Sequence, residues 1–480
     1  MKKKFLTNLV LLVILNVLIK PFWFFGIEVA VQNRVGEEMY GFYFSLFNFA
    51  FILNILLDIG LTNFNNRAIA RDHDLLRERL GIIIPLKFLL SIIYGVIVFS
   101  LGLIIGYDHL QIKLLAILVL NQFLSSFILY LRSNVSGIQL FTTDSLLSVL
   151  DRSLMIIMNG ILLWSGLFEK NYRIEWFVYT QTLSYSITAL VILIVVLYHS
   201  GRIRIRINTK DFLSILRQSY PFAILILLMS FFNRVDSVMI ERILHDGKEQ
   251  AGIYAQSYRV LDAFSQFAVL FAGLLLPMFS KMLKTGENIT ELIKLSSSLL
   301  LGIGLAVAAA GFLFNREIIN LMYHSVDQDS PMIFSILMSG FVFIAVSYIY
   351  GTLLTANKSL KQLNILAAIT VILNISLNLI LIPHFYAKGA AIASLSSQSF
   401  YAISQVITAK KILNLKEDYG YVFRLLIYAV LVCATGWMYH RFFNWIPAIL
   451  LFSVTAVLLS VVTGVIRPRE ILRIFREENE

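Results

Sequence analysis

Long apolar stretches follow one another along nearly the whole chain, and short polar segments separate them. A hydrophobic stretch of about 20 residues is long enough to cross a bilayer as an α-helix. Transmembrane strands would instead give shorter segments in which apolar and polar positions alternate. The pattern therefore predicts an all-α polytopic membrane protein.

The order of the apolar stretches predicts about 14 transmembrane helices. The first six lie near 6–27, 40–66, 82–106, 112–137, 143–167 and 174–198. Six more lie near 212–240, 251–279, 292–314, 332–356, 362–383 and 387–409, and two C-terminal helices lie near 421–440 and 446–466. No small-residue cleavage site precedes Lys20 and Pro21, so we expect a first span rather than a cleavable signal peptide.

A basic segment divides the spans into two sets of six. We expect an N-terminal six-helix lobe (1–198), a basic cytoplasmic linker (199–211), a C-terminal six-helix lobe (212–411), and two additional helices with a charged cytoplasmic tail (412–480). A Gly-x-Tyr motif, Gly41 to Tyr43 and Gly252 to Tyr254, opens the second span of each set. Because six is an even number, the two lobes are predicted to be parallel repeats.

Composition and charge agree with this topology. The chain has 480 residues, of which 58% are hydrophobic and 14% are charged, whereas soluble chains carry about 25% charged residues. About 26 of the Lys and Arg residues fall on the side that both termini share, about 9 on the other side and about 5 inside spans. Both termini are therefore predicted to be cytoplasmic. The net charge of +11 then reflects loops beside membrane lipids rather than a nucleic-acid partner.

Charged residues also occur inside or at the margins of the predicted spans. The cations are Lys20, Lys87, Arg132, Arg152, Arg234 and Arg259, and the anions are Asp58, Asp151, Asp236 and Asp262. Such groups are costly in a bilayer and normally persist where they pair or line a polar pathway. Two interpretations remain: ion pairs that lock helices together, or a pathway through the protein. The recurrence of charges in several spans favours the pathway.

The sign of these charges indicates the cargo. Cations outnumber anions, which suits an anionic cargo such as a diphosphate group that Arg holds bidentately. We assign substrate binding to Lys20, Arg132, Arg152, Arg234 and Arg259, and coupling or ion pairing to Asp58, Asp151, Asp236 and Asp262. The aromatic residues Trp23, Tyr254, Tyr258, Tyr348 and Tyr350 would suit stacking on sugar rings, although aromatic residues also populate lipid interfaces.

Helical spacing adds expectations about which polar side chains share a face. Asn54, Asp58, Thr62 and Asn65 lie on one face of the second span. Arg259 and Asp262 also share a face and are close enough along the helix for a pair to form. Arg234 and Asp236 are two positions apart and point to nearly opposite sides.

Enzymatic motifs are absent from the sequence. There is no Walker loop, no His-Glu-x-x-His and no nucleophile elbow, and the single cysteine, Cys433, lies in an apolar run. We therefore expect no enzyme activity, no metal and no cofactor. Without an ATPase domain, the driving force is expected to come from an ion gradient, the membrane potential or removal of product.

Four stretches resemble the polysaccharide transport branch of the multidrug/oligosaccharidyl-lipid/polysaccharide (MOP) exporter superfamily, the Wzx-type O-antigen flippases. They are Gly36-Glu-Glu-Met-Tyr-Gly41-Phe-Tyr43 through Asp58-Ile-Gly60-Leu to Asn66-Arg67-Ala-Ile-Ala70-Arg71; Arg234-Val-Asp236-Ser-Val-Met-Ile240 with Ala251-Gly252-Ile-Tyr254-Ala; Leu276-Pro277; and Gly389-Ala-Ala-Ile-Ala393-Ser. The resemblance also covers the number of spans and the loop pattern.

The resemblance implies two six-helix lobes around a cationic central cavity in the bacterial inner membrane. Alternating access would move an undecaprenyl-diphosphate-linked oligosaccharide outward for O-antigen, capsule or exopolysaccharide synthesis, alongside other polysaccharide assembly proteins. Three alternatives stay open: a drug or cation antiporter of the same fold, a flippase for lipid-linked peptidoglycan precursor, and a non-transporting membrane assembly protein. A membrane polymerase or ligase would be expected to have a large outer loop, whereas every predicted outer loop is short.

The charge asymmetry generates a test of topology. Cysteines introduced at Ser200 and Thr285 should be shielded from an impermeant thiol reagent in intact cells, and one at Gln328 should be labelled. The opposite labelling pattern would contradict the span assignment.

Overall fold

The computed structural model describes residues 18–72, 74–166, 172–201, 209–415 and 418–466. Most of the predicted first span, most of the basic linker and the C-terminal tail lie outside the described residues. Within the described ranges the chain is helical and contains no strand.

Fourteen α-helices, α1 to α14, occur in the described ranges. Those of the first half are α1 (Val29–Ile52), α2 (Leu61–Arg71), α3 (Leu75–Ile105), α4 (His109–Gly137), α5 (Phe141–Trp164), α6 (Ile174–Ser200) and α7 (Thr209–Ile243). The rest are α8 (Gly247–Thr285), α9 (Thr290–Leu313), α10 (Asn315–Met322), α11 (Ser330–Ala356), α12 (Leu360–Leu413), α13 (Tyr419–Phe442) and α14 (Trp445–Val462). A π-helical segment, Phe22–Glu28, precedes α1, and a 3₁₀ segment, Asn54–Leu57, follows it.

The structure confirms the all-α multi-pass architecture. In the described ranges, 11 helices are long and apolar enough to cross a membrane. They correspond to the third to the tenth predicted spans, to α12 and to the two C-terminal spans. The first predicted span lies largely outside the described residues. The second is interrupted between α1 and α2, so it does not form one continuous apolar helix.

Helix α12 accounts for two of the predicted spans. It has 54 residues, which corresponds to about 80 Å at 1.5 Å per residue, far more than a hydrocarbon core of about 30 Å. Tyr386 interrupts its helical geometry with φ 51° and ψ −138°. This break lies between the predicted spans 362–383 and 387–409.

The chain divides into two compact units, Met1–Gly252 and Ile253–Glu480. The first unit contains α1 to α7 and the beginning of α8. The second contains the remainder of α8 and the helices that follow it. The lobe boundaries expected from the sequence remain a prediction.

Helix α1 packs against several helices of the first unit, including α4, α6 and α7. It carries a break of its own at Gly36, where φ is 82° and ψ is 169°, a conformation that glycine adopts readily. Polar side chains connect it to its neighbours. Asn48 Nδ2 donates to Ser237 Oγ at 2.8 Å, and Gln32 Nε2 donates to the Gly252 carbonyl at 2.9 Å.

The glycines of the two Gly-x-Tyr motifs meet in the first unit. A Cβ atom at Gly41 would lie 1.9 Å from the Lys248 carbonyl oxygen and 2.4 Å from the Gly252 nitrogen. A Cβ at Gly252 would lie 2.1 Å from the Glu37 carbonyl oxygen. Small residues permit this backbone approach between membrane helices. The repeated motif is therefore a packing contact between α1 and the start of α8.

The second unit is built around α11, which packs against both α9 and α12. The two C-terminal helices, α13 and α14, pack against each other and against α9. Their core includes Phe314, Tyr428, Val432 and Phe452. The Tyr428 hydroxyl donates to the Gly302 carbonyl at 3.1 Å, which gives this buried hydroxyl a partner inside an apolar interface.

Substitution of Gly41 tests the close helix approach. Gly41→Ala should lower the melting temperature in detergent, because overpacking costs about 1–3 kcal/mol and the added methyl group would overlap backbone atoms. Gly273→Ala is a matched control, since a Cβ there meets nothing within 4 Å. It should leave stability unchanged or raise it by up to about 1 kcal/mol through helix propensity. Equal effects of the two substitutions would show that the backbones of α1 and α8 are farther apart at Gly41 than in this structure.

Candidate functional site

The π-helical segment Phe22–Glu28 brings Trp23 and Glu28 together. Residues five positions apart point about 140° apart around an α-helix, whereas the wider π turn places them on nearly the same side. Trp23 Nε1 donates to Glu28 Oε1 at 3.0 Å. Pro21, just before the segment, has no N–H to donate to the preceding turn. The distorted helix therefore places a carboxylate and an indole side by side inside the first unit.

Aromatic rings from three elements surround this pair. The indole of Trp23 stacks on the Phe177 ring with centroids 5.7 Å apart, and the Tyr43 ring meets Phe177 edge-on at 5.3 Å. Gln181 Nε2 donates to the Tyr43 hydroxyl at 3.1 Å. The π-helical segment, α1 and α6 thus hold the Trp23 ring in one orientation.

Arg152, on α5, approaches the same indole. Its Cζ lies 5.2 Å from the Trp23 ring centroid, which is a cation–π distance, and its Nη1 lies 3.5 Å from Met155 Sδ. Nε lies 3.8 Å from Asp151 Oδ2, and 31% of the Arg152 side chain is exposed. The guanidinium is therefore held by the indole ring and a thioether, while its contact with Asp151 is longer than a hydrogen bond.

Lys20 and Arg132 are the two further cations of the cluster around Arg152. Lys20 lies within electrostatic range of Arg152 and Arg132, which repel it, and of Asp151, which attracts it. Arg132 itself has a close partner, because its Nε donates to Asp144 Oδ1 at 2.8 Å. The structure therefore brings together Lys20, Arg132, Arg152 and Asp151 from the predicted set. Glu28 also acts electrostatically on Arg152.

Two predicted residues lie near the end of α7. Arg234 Nη1 is 3.4 Å from Asn48 Oδ1, and its Cζ is 4.9 Å from the Phe51 ring centroid. Asp236 is 1% exposed, so it lies inside the protein, whereas Arg234, on the same helix, is half-buried. The expectation that these two side chains point in different directions agrees with this difference.

Arg259 and Asp262 belong to the second unit. Arg259 Nη1 and Asp262 Oδ2 are 4.0 Å apart on successive turns of α8. The two side chains thus share a face of the helix, as their spacing predicts, and their separation is at the outer limit of an ion pair.

Asp58 lies at the interruption between α1 and α2. Lys87 Nζ of α3 donates to Asp58 Oδ1 at 2.5 Å, so Asp58 forms an ion pair with another charge singled out from the sequence. The single helical face expected for Asn54, Asp58, Thr62 and Asn65 is not formed, because the chain is not α-helical between Ile52 and Leu61. Two of these side chains have partners on α4. Asn54 Nδ2 donates to Gln122 Oε1 at 2.5 Å, and Asn65 Nδ2 donates to Asn134 Oδ1 at 3.0 Å.

Two acidic residues of the cluster were missed by the sequence reasoning. Glu28 follows the predicted first span directly, and Asp144 lies at the start of the fifth, so both were treated as span ends. Counting them removes the excess of cations over anions that the sequence indicated. The continuing apolar context of Ile27-Glu28-Val29 was the available signal for Glu28. Glu28 is 5% exposed, so its carboxylate lies inside the protein, whereas Arg152 keeps 31% exposure.

The expectation of free aromatic platforms needs a correction for three residues. Trp23 is 2% exposed, and Tyr254 and Tyr258 are also buried. Tyr254 and Tyr258 stack on each other with centroids 5.4 Å apart. None of these three rings presents an open face to a sugar in this structure, because each is covered by its neighbours.

Metal chemistry finds no support in the described ranges. They contain no group of three or more His, Cys, Asp or Glu side chains that would suit a metal ion. The expectation of no cofactor remains a prediction from the sequence.

A family model described as polysaccharide biosynthesis protein matches residues 5–283, more than half of the chain. The protein belongs to this family. No curated protein matches the chain. The family match confirms the predicted resemblance to the polysaccharide transport branch of the MOP superfamily.

Solved structures with the same fold match a larger part of the chain than the family model does. The lipid II flippase MurJ in an inward closed conformation has a TM-score of 0.72 at 14% identity, covering 96% of this chain and 100% of that chain. An inward-facing multidrug resistance MATE transporter of the MOP superfamily has a TM-score of 0.65 at 17% identity, covering 82% and 94%. A MOP superfamily transporter from Pyrococcus furiosus, described as having a binding pocket of reverse polarity, has a TM-score of 0.57 at 17% identity, covering 85% and 94%.

These matches show the fold, and the family match shows the branch. The protein is a multi-pass membrane transporter of the MOP type. The three solved structures are described as two transporters and a flippase.

Replacement of Trp23 tests the arrangement around Glu28. Trp23→Phe keeps a ring against Phe177 and removes the N–H that Glu28 accepts, which should destabilise the protein by about 1–3 kcal/mol. Trp437→Phe is the control, because 56% of that indole is exposed. Melting temperatures in detergent compare the two. A Trp23→Phe protein as stable as the control would contradict the hydrogen bond.

Proposed function

We propose that this transporter flips a lipid-linked oligosaccharide, carried on undecaprenyl diphosphate, from the cytoplasmic to the outer leaflet of the bacterial inner membrane. Its product would serve O-antigen, capsule or exopolysaccharide synthesis. Support comes from Arg152, whose guanidinium is oriented by neighbouring groups while a third of the side chain stays exposed. Membership of the polysaccharide biosynthesis family supports the same cargo.

The orientation of Arg152 suits a diphosphate. Its Cζ is 5.2 Å from the Trp23 centroid, and its Nη1 is 3.5 Å from Met155 Sδ, so little side-chain freedom remains to be lost on binding. A planar guanidinium presents parallel N–H groups that match two phosphate oxygens. A diphosphate bound there would gain charge-assisted hydrogen bonds that the 3.8 Å contact with Asp151 does not provide.

The neighbouring charges divide into two roles in this proposal. Lys20 and Arg132 add positive potential beside Arg152. Asp151 is the carboxylate beside Arg152, at 3.8 Å, and the headgroup would displace it. Such competition limits affinity, which suits a carrier that has to release its cargo on the other side. Arg234 and Arg259 remain proposed cargo contacts, and Asp58, Asp236 and Asp262 remain proposed coupling or ion-pairing groups.

A flippase for lipid-linked peptidoglycan precursor is the second candidate. The similarity to the lipid II flippase MurJ over 96% of this chain favours it. The diphosphate argument applies to either cargo, because both are proposed to be carried on a lipid diphosphate. The identity of the lipid-linked intermediate that accumulates in the cytoplasmic leaflet after depletion of the protein separates the two. We expect an oligosaccharide intermediate.

Variants of Arg152 test the diphosphate role. Arg152→Lys keeps the charge and loses the planar fork, so partial transport should remain. Arg152→Ala should reduce glycan display at least tenfold per molecule of folded protein, which corresponds to about 1.4 kcal/mol or more. Arg441→Ala is the matched control, because this exposed arginine instead lies against Trp437 at 5.6 Å.

The measurement separates cargo binding from helix locking. A structural role predicts that Arg152→Ala lowers the amount of folded protein and reduces display in proportion. Display per folded molecule would then equal that of Arg441→Ala, and the proposed cargo contact would be wrong.

A further inference from the structure

The second predicted span is interrupted in its middle by eight residues. Helix α1 ends at Ile52, the 3₁₀ turn Asn54–Leu57 follows, and α2 begins at Leu61. Ile59 and Gly60 have positive φ angles of 43° and 82°. Such a break frees backbone carbonyls at membrane depth, where hydrocarbon offers no replacement hydrogen bonds. The freed groups must therefore be satisfied from inside the protein.

Three oxygens at this break converge on one atom. Lys87 Nζ lies 2.5 Å from Asp58 Oδ1, 3.0 Å from the Leu57 carbonyl oxygen and 3.1 Å from Ser126 Oγ. A lysine ammonium has three N–H donors, and each has an oxygen here. Lys87 is 1% exposed, so the ammonium is enclosed within the first unit.

The oxygens have the chemistry of a monovalent-cation site. A carboxylate, a carbonyl released by an unwound helix and a hydroxyl are hard donors, and unwound carbonyls of broken transmembrane helices coordinate Na⁺ in transporters. Thr62 also supports the carboxylate, because Thr62 Oγ1 donates to Asp58 Oδ1 at 2.5 Å and the Thr62 N–H donates to Oδ2 at 3.4 Å. The carboxylate therefore has a hydrogen-bond donor besides Lys87.

We propose that the break in the second span is a cation site whose occupant is the Lys87 ammonium, a covalently attached cation in place of an exchangeable alkali ion. Because the lysine cannot dissociate, the site holds its charge throughout the transport cycle. It follows that the transporter takes up no alkali ion at this position. Removal of the lysine side chain leaves an anionic oxygen site that an alkali ion can fill, with access past Asp58, which is 23% exposed.

The test is a variant in which an alkali ion from solution can enter the site that the Lys87 ammonium occupies. Lys87→Ala protein, purified in NaCl and exchanged into choline chloride of equal ionic strength, should melt at a lower temperature than in NaCl. The melting temperature should rise with each tenfold increase in Na⁺, as mass action requires. Lys87→Ala/Asp58→Asn should lose this response. Lys113→Ala, which removes an exposed lysine of α4, should show none.

Two outcomes would overturn the proposal. One is a melting temperature of Lys87→Ala that is equal in NaCl and choline chloride. The other is an Na⁺ response that persists in the double variant, since the ion would then bind elsewhere. Both readouts concern stability rather than transport, so a failure of the proposed cargo leaves them interpretable.

If Lys87→Ala does not yield folded protein in either salt, the comparison of wild type with Asp58→Asn decides. Wild type and Asp58→Asn should then respond identically to replacement of Na⁺ by choline, because the lysine already fills the site. A stabilisation by Na⁺ that wild type shows and Asp58→Asn lacks would mean that an exchangeable ion binds beside Asp58, and the proposal would be wrong.

Discussion

The hydrocarbon core of a membrane offers no hydrogen-bond partners, and the architecture of the first unit follows from that constraint. Wherever a helix departs from regular geometry, side chains replace the missing partners. At the interruption before α2, Lys87 and Ser126 reach the released Leu57 carbonyl. The irregular backbone is thus stable at that depth because α3 and α4 each supply a polar group at the required position.

Helix α1 shows how close packing and polar contacts depend on each other. The backbone approach between Gly41 and Gly252 brings Gln32 within 2.9 Å of the Gly252 carbonyl. Larger side chains at Gly41 or Gly252 would push the two helices apart at this crossing. The Gln32 side-chain amide would then be buried without the Gly252 carbonyl as its acceptor. The glycines therefore matter for polar satisfaction as well as for packing.

The sequence predicted the spans well, because length and hydropathy are local properties that the bilayer enforces. It predicted that Asn54, Asp58 and Asn65 share a helical face, but the helix is interrupted between Ile52 and Leu61. Their partners, on α3 for Asp58 and on α4 for the two asparagines, depend on tertiary packing. The π-helical register of Trp23 and Glu28 also depends on packing, because the periodic pattern of apolar residues does not distinguish a π turn from an α turn. Glu28 and Asp144 were missed because a carboxylate near a span end resembles an ordinary loop residue.

The charge pairs in the described ranges reveal how the unit uses its ionised groups. Lys87 with Asp58 and Arg132 with Asp144 are separated by 2.5 Å and 2.8 Å. Each of these four groups gains a close counter-ion, so its charge is largely cancelled nearby. Arg152 differs, because its contact with Asp151 is 3.8 Å and it keeps 31% exposure. The total count of charges therefore says little about cargo. The charge available to a ligand is the one that is oriented but not yet closely paired, and in this cluster that description fits Arg152.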